Sequence, residues 1–274
     1  MMKLRNSIFI LLFLFILSAC SSNGPAKQNE ESKDEVKVET GVENKEITVS
    51  AAASLEDALM EIKPLFEDEH DNIKLLFNFG GSGALGQQIT QGAPVDLFLS
   101  AAKDKFDELI SQDLIEKDKG IDLVGNSLVL IIPKESKNSI ASFEDLTNIG
   151  EGKLALGTPE SVPAGKYASQ TFHHLGIWDK VENNIVYTKD VRQVLTYVET
   201  GNVEAGVVYK TDAMLSDKIK IVAEADSSSH DPIIYPAGVI KTSKNIEEAE
   251  MFFQFLQEAK IKEIFQKYGF QVLD

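Results

Sequence analysis

The chain predicts an α/β protein with mixed, mostly parallel sheets. Three observations lead there. Short β-rich runs alternate with helical patterns from residue 47 to the end, and the helical stretches have the length of crossover helices. A content of 43% hydrophobic and 26% charged residues is that of a soluble globular chain. The 274 residues allow one large domain or two lobes, with a sizeable core either way.

The N-terminus reads as an address. Lys3 and Arg5 precede an unbroken apolar run over 8–17, followed by Ser18, Ala19 and Cys20. That run is shorter than the ~20 residues that span a bilayer, but it suits the core of a secretory signal. Leu17-Ser18-Ala19-Cys20 resembles the lipobox of bacterial lipoproteins. The resemblance implies a signal peptide over 1–19, cleavage before Cys20 and lipid on its sulfur. An ordinary signal peptide is the alternative, but the single cysteine falls at the one position that the motif requires. Cleavage removes Lys3 and Arg5 and takes the net charge from −16 to −18. Residues 20–46 are polar and charged, with too little apolar surface to offset the entropy of ordering, and predict a disordered tether.

The body follows in order. Residues 47–50 are β-rich, and Leu55, Leu59, Ile62, Leu65 and Phe66 repeat behind them at helical spacing. Strand-like runs recur at 73–79, 95–100, 123–132, 153–156, 185–188, 205–209, 219–222 and 233–240. Helical candidates lie between them at 84–91, 103–111, 164–176, 191–200 and 211–216, and 245–258 and 260–268 close the chain. Met251, Phe252, Phe255 and Leu256 read as core and docking faces of the first of these last two. The long run 123–132 can cross between two lobes, and 233–240 can carry the chain back.

Composition excludes several function classes. With 27 basic against 43 acidic residues, no nucleic-acid partner is expected, since such binding needs a basic stripe to displace counterions. One cysteine excludes an intrachain disulfide and a Cys-based zinc cluster. Of four histidines only His173 and His174 adjoin, and neighbours on a helix point apart, so neither a metal site nor a cofactor is expected.

Several strand-to-helix junctions share one chemistry. Ala51-Ala52-Ala53-Ser54 and Gly80-Gly81-Ser82-Gly83 are stripped of large side chains. Val162-Pro163-Ala164-Gly165 places a proline at a first helical turn, and Asp190-Val191-Arg192-Gln193 reads as a capped helix start. In an open α/β sheet these junctions gather at the carboxyl ends of the strands, where free helix N–H groups form an anion site. Ser54 and Ser82 add hydroxyls. Each junction taken singly is equally an ordinary cap, and Ser54 with Asp57 resembles a capping box.

Seven ordered segments then carry a family resemblance. They are Val49-Ser50-Ala51-Ala52-Ala53-Ser54-Leu55, Gly92-Ala93-Pro94-Val95-Asp96-Leu97-Phe98, Gly125-Asn126-Ser127-Leu128-Val129, Val162-Pro163-Ala164-Gly165, Asp190-Val191-Arg192, Gly206-Val207-Val208-Tyr209 and Lys267-Tyr268-Gly269-Phe270. Over about 47–270 the chain resembles the extracytoplasmic molybdate-binding proteins of ABC-type importers. The resemblance implies a two-lobed periplasmic-binding-protein fold of type II with a ligand cleft between lobes, lobe one from 47–126 and 232–274 and lobe two from 127–231. It implies molybdate or tungstate as ligand, held through its oxygens with no direct metal ligands. The contacts fall on hydroxyls and N–H groups of Ser54 and Ser82, backbone N–H of Ala164 and Val191, and the phenol of Tyr209. Ser82 departs from the family's serine-rich stretch in being flanked by glycines. The partners implied are a permease and, through the N-terminal lipid, the cell membrane; a monomeric, non-enzymatic, extracytoplasmic protein is expected.

The residues leave rivals open. Gly81-Ser82-Gly83-Ala84-Leu85-Gly86 matches the dinucleotide fingerprint, but the next strand, 95–100, runs into Ala101-Ala102 without the acid that would hold a ribose. Gly80-Gly81-Ser82-Gly83-Ala84 misses the last glycine of a nucleophile elbow, leaving a secreted enzyme with a Gly-rich anion loop as a remote reading. Tyr209 and Tyr235 invite an iron site, though small donor-rich loops suit an anion better. A sulfate- or phosphate-binding protein is the nearest competitor. Arg192, beside Val191, reads as pairing with a nearby carboxylate before it reads as a ligand.

The address makes its own prediction. Replacing Cys20 with Ala should move the protein from membrane to soluble fractions; membrane association that persists in that variant contradicts lipidation.

Overall fold

Two mixed sheets, each packed against helices, organise the chain. The computed structural model describes residues 44–273, so the expected signal peptide 1–19, Cys20 and the tether as far as residue 43 lie outside the described residues. The tether's expected end at 46 is corrected. Strand β1 (Lys45–Ala52) already starts at Lys45, because Lys45 and Glu46 extend a parallel ladder to Ile73 and Lys74. Backbone pairing recruits two polar residues that hydrophobicity alone leaves out.

The first sheet holds β1, β2 (Ile73–Gly80), β3 (Leu97–Leu99), β4 (Ile121–Gly125), β10 (Ile234–Val239) and β11 (Gln271–Val272). Their spatial order is β11-β4-β10-β3-β1-β2. The second holds β5 (Leu128–Pro133), β6 (Leu154–Gly157), β7 (Ile185–Thr188), β8 (Ala205–Tyr209) and β9 (Ile219–Glu224), in the order β7-β6-β8-β5-β9. Parallel ladders join β1 to β2 and β3, and β6 to β7 and β8. The other pairings are antiparallel, so the sheets are less parallel than the strand–helix alternation leads one to expect.

The reason lies at the crossovers. The expected strand 123–132 is two strands of different sheets, parted at Asn126-Ser127. Leu128, Val129, Leu130, Ile131 and Ile132 are all buried, as are Leu123 and Val124. Apolar residues on both sides of the break hide it from a periodicity argument. The chain re-enters the first sheet at β10, which runs antiparallel to both β3 and β4.

Helices follow most parallel strands: α1 (Glu56–Glu69), α2 (Ser82–Thr90), α3 (Lys103–Ser111), α4 (Pro163–His174), α6 (Val191–Glu199) and α7 (Lys210–Met214). A short α5 (Trp178–Val181) and strand β11 have no counterpart in the sequence pattern, each being too brief to show a period. Helices α8 (Ile246–Phe255) and α9 (Ala259–Lys267) close the chain. Helix α1 buries Ala58, Leu59, Ile62 and Phe66, and Phe66 meets Phe252 and Phe255 edge-on at centroid distances of 4.9 and 5.3 Å. That geometry is favoured by the aromatic quadrupole. Leu65 and Met251, expected on these apolar stripes, are exposed instead.

One glycine fixes how α4 meets its strand. A Cβ on Gly165 would stand 1.8 Å from the carbonyl oxygen of Gly157, the last residue of β6. The helix start is thereby seated on the carboxyl end of the strand, which is what brings Ala164 to the site.

Candidate functional site

The carboxyl ends of β1, β2, β3, β6, β7 and β8 frame one narrow cavity of about 10 Å³. Its walls are Ala52, Ala53, Ser54, Gly80, Gly81, Ser82 and Ala101 from the first sheet's side, and Val162, Pro163, Ala164, Val191 and Tyr209 from the second's. The five residues singled out from the sequence, Ser54, Ser82, Ala164, Val191 and Tyr209, are thus brought together, and all are buried. No lining residue carries a formal charge. Larger hollows, one lined by 137–140, 145, 148–149, 152 and 204, lie elsewhere on the surface and lack converging helix starts.

Each wall residue arrives by a local rule. Ser54 sits in a 3-10 turn, Ala53–Leu55, ahead of α1. Ser82 is the first residue of α2, Ala164 the second of α4 behind Pro163, and Val191 the first of α6. First-turn amides have no acceptor within their own helix and stay available. Helices α1, α2 and α4 have no side-chain cap bond. The resemblance of Ser54 and Asp57 to a capping box is therefore corrected: Ser54 Oγ lies 2.9 Å from Tyr235 Oη, and Asp57 pairs with Arg192. Helix α6 is capped as expected. Asp190 Oδ1 accepts from Gln193 N at 2.8 Å, and Gln193 Oε1 accepts from Lys189 N at 3.0 Å.

The hydroxyls are set to donate. Ser82 Oγ accepts from the amide of Ala101 at 2.9 Å, which leaves its proton free. Tyr209 is 1% exposed, and its hydroxyl has no hydrogen-bond partner among the described residues. Its ring meets that of Tyr235 edge-on at 5.7 Å without an aligned bond between the two phenols. Burial pushes the pKa of both phenols well above the usual tyrosine range, so each keeps its proton at neutral pH.

The glycines around Ser82 also meet a packing constraint. A Cβ on Gly81 would stand 2.6 Å from the carbonyl oxygen of Ser161, and one on Gly83 2.8 Å from Ser161 Cα. Gly83 N also donates to Ser161 O at 3.0 Å. The loop ahead of α4 rests directly on the start of α2, closing the cavity from one side.

Charged groups tie the walls together at its edge. Arg192 Nη2 pairs with Asp57 of α1, and Nε lies 3.0 Å from Oδ1 of Asp212, which is fully buried. Arg192 therefore pairs with carboxylates, as read from the sequence, but is half-buried between two of them. Lys166 of α4 reaches Asp104 of α3 at 3.0 Å and Asp231 at 3.5 Å. Sequence reasoning missed Asp212, and it met Asn126 only inside a family segment and Tyr235 only as an iron candidate, without their roles beside Ser54. No spacing rule flags these roles, since each depends on a partner distant in the sequence.

Comparison with known proteins gives a consistent picture. Residues 47–271 match a family described as bacterial extracellular solute-binding proteins. The chain is 48% identical over 268 residues to YvgL of Bacillus subtilis, named as a candidate ABC transporter substrate-binding lipoprotein, covering 97% of this chain and 98% of that one. It is 37% identical to the molybdate-binding protein ModA of Haemophilus influenzae, covering 82% and 89%. A solved structure, the substrate binding domain of a candidate molybdenum ABC transporter from Clostridium difficile, is 42% identical with a TM-score of 0.64, covering 84% and 100%.

The Arg192–Asp212 pair makes stability depend on pH. Burial pushes the Asp212 carboxyl up to about 7, against the opposing pull of Arg192. A carboxyl raised on folding favours the native state while protonated and loses that contribution as pH rises through about 7. Removing Arg192 leaves the carboxylate uncompensated. Arg192→Gln should lower stability by about 3 kcal/mol near pH 8, with the gap to wild type narrowing near pH 6. Thermal melts across that range check this, and a gap independent of pH contradicts it.

Proposed function

The chain belongs to the bacterial extracellular solute-binding proteins, and from that premise we propose that it captures molybdate, and tungstate with it, for delivery to an ABC-type permease. The observation that carries this reading is the buried phenol of Tyr209, unpartnered on the wall of an uncharged cavity rich in hydrogen-bond donors. A buried polar group without a partner costs about 1–3 kcal/mol, and a ligand oxygen relieves that cost.

The donor set fits the ligand's chemistry. Molybdate is a dianion near neutral pH, with four acceptor oxygens and no proton. Hydroxyls of Ser54, Ser82 and Tyr209 and amides of Ser54, Ser82, Ala164 and Val191 offer it donors on several sides. Each helix start adds a partial positive charge of roughly one half, which helps a buried anion without a counter-cation. Hydrogen phosphate would bring a proton of its own to a wall of donors. Sulfate offers the same acceptors on a smaller frame, so discrimination against it rests on cavity size. The segment 125–127, where the chain passes from β4 to β5, and that from β9 to β10 serve as the hinge between lobe one (47–126 and 232–274) and lobe two (127–231).

We read the role as binding and not as catalysis, with no resident cofactor, in keeping with the solute-binding relatives. The lipobox resemblance at Cys20 supports attachment to the outer face of the cell membrane, which keeps the binder near its permease. A monomer suffices for this task.

Titration calorimetry on the mature chain with molybdate, tungstate, sulfate and phosphate tests the proposal. Molybdate and tungstate should bind, and Ser54→Ala should weaken both by about ten- to a hundredfold, the worth of one hydrogen bond to a charged group. Binding of sulfate or phosphate instead keeps the anion cleft and discards the ligand. Binding of none of the four overturns the reading.

A further inference from the structure

Behind Ser54 runs a chain of hydrogen bonds whose direction can be read. Asn126 Oδ1 accepts from the amide of Ser127 at 2.9 Å, which fixes the orientation of the Asn126 amide. Its Nδ2 therefore faces Thr211 Oγ1 at 2.9 Å and Tyr235 Oη at 3.2 Å. An amide nitrogen only donates, so Tyr235 Oη accepts from Asn126 and still has one proton to give. Tyr235 is 1% exposed, and its remaining partner is Ser54 Oγ at 2.9 Å. If Ser54 donated into Tyr235, the phenol proton could turn only to Tyr209 Oη, which makes no hydrogen bond of good geometry, and would be left buried without an aligned acceptor, an arrangement that folded proteins avoid. Ser54 Oγ thus accepts from Tyr235 and turns its own proton elsewhere, and Ser54 is the member of this chain that lines the cavity.

We propose that Tyr235, held by Asn126, is a positioning residue that fixes Ser54 as a donor and so makes the cleft select oxyanions that carry no proton. The inference rests on the molybdate reading and names what enforces its selectivity. Ser82 is polarised in the same sense by the backbone amide of Ala101, which no side-chain substitution removes. Ser54 is therefore the serine on this wall whose direction a substitution can release. With Tyr235 Oη gone, Ser54 can rotate and accept a proton from the ligand, as hydrogen phosphate requires.

The test is competition against bound molybdate on the mature chain, with inorganic phosphate and sulfate as competitors. Sulfate has the same tetrahedral acceptors as phosphate but no proton at these pH values, and serves as the control. Tyr235→Phe should weaken molybdate about five- to tenfold. The ratio of phosphate to sulfate competition should rise about tenfold over wild type, more near pH 6 than near pH 8 because phosphate is then more protonated. Asn126→Ala keeps the phenol but frees its direction, and should move the ratio the same way. In a Ser54→Ala background Tyr235→Phe should leave the ratio unchanged, since the effect passes through Ser54. A ratio that does not change in Tyr235→Phe and Asn126→Ala, or that rises equally without Ser54, overturns the proposal and leaves Tyr235 a packing residue. Wild-type protein that fails to bind molybdate overturns the ligand assignment first, and this inference with it.

Discussion

A doubly charged anion held in a closed cavity without a counter-cation has to be satisfied by hydrogen bonds, and much of this fold follows from that demand. Amides are the densest source of donors, and the first turn of a helix is where amides are free of internal partners. Three parallel strands of one sheet and three of the other end at the cavity, and helix starts or short turns follow them. Small residues at the junctions let the walls meet. Where Gly81 and Gly83 face Ser161, any side chain would hold the loop ahead of α4 away from α2.

The same demand accounts for where charge is kept. Arg192 neighbours Val191 in sequence, yet its guanidinium is engaged by Asp57 and by buried Asp212, outside the lining of the cavity. A free cation in the cleft would attract many small anions with little discrimination, whereas oriented dipoles favour a ligand of one shape and one protonation state. Because Asp57 lies on α1 and Asp212 on α7, the pairing also spans the two walls and bears on how they close.

Much of this was legible in the chain because the relevant signals are local. Helix starts announce themselves through Ser82, Pro163 and Asp190, and strand ends through the β-rich runs before them. The five candidate residues lie at such junctions, so finding them required junction chemistry together with the ordered family segments. What stayed hidden depends on distance in the fold. Asn126 and Tyr235 are 109 residues apart and meet only because β10 returns beside β4. Asp212 reads as an ordinary acidic residue early in a short helix until burial is known. The strand break at Asn126-Ser127 is equally easy to miss, since apolar residues resume directly after it while hydrogen-bond partners change from one sheet to the other.

The central claim is that the oxyanion sits among Ser54, Ser82, Ala164, Val191 and Tyr209. A crystal structure of the molybdate complex, recorded at the molybdenum absorption edge, addresses it most directly. The account predicts one anomalous peak in this cleft, with ligand oxygens about 2.7–3.1 Å from the serine and tyrosine hydroxyls and the helix-start amides. A molybdenum peak at another hollow, or one in this cleft whose oxygens bypass Tyr209 and the amides of Ala164 and Val191, would contradict it.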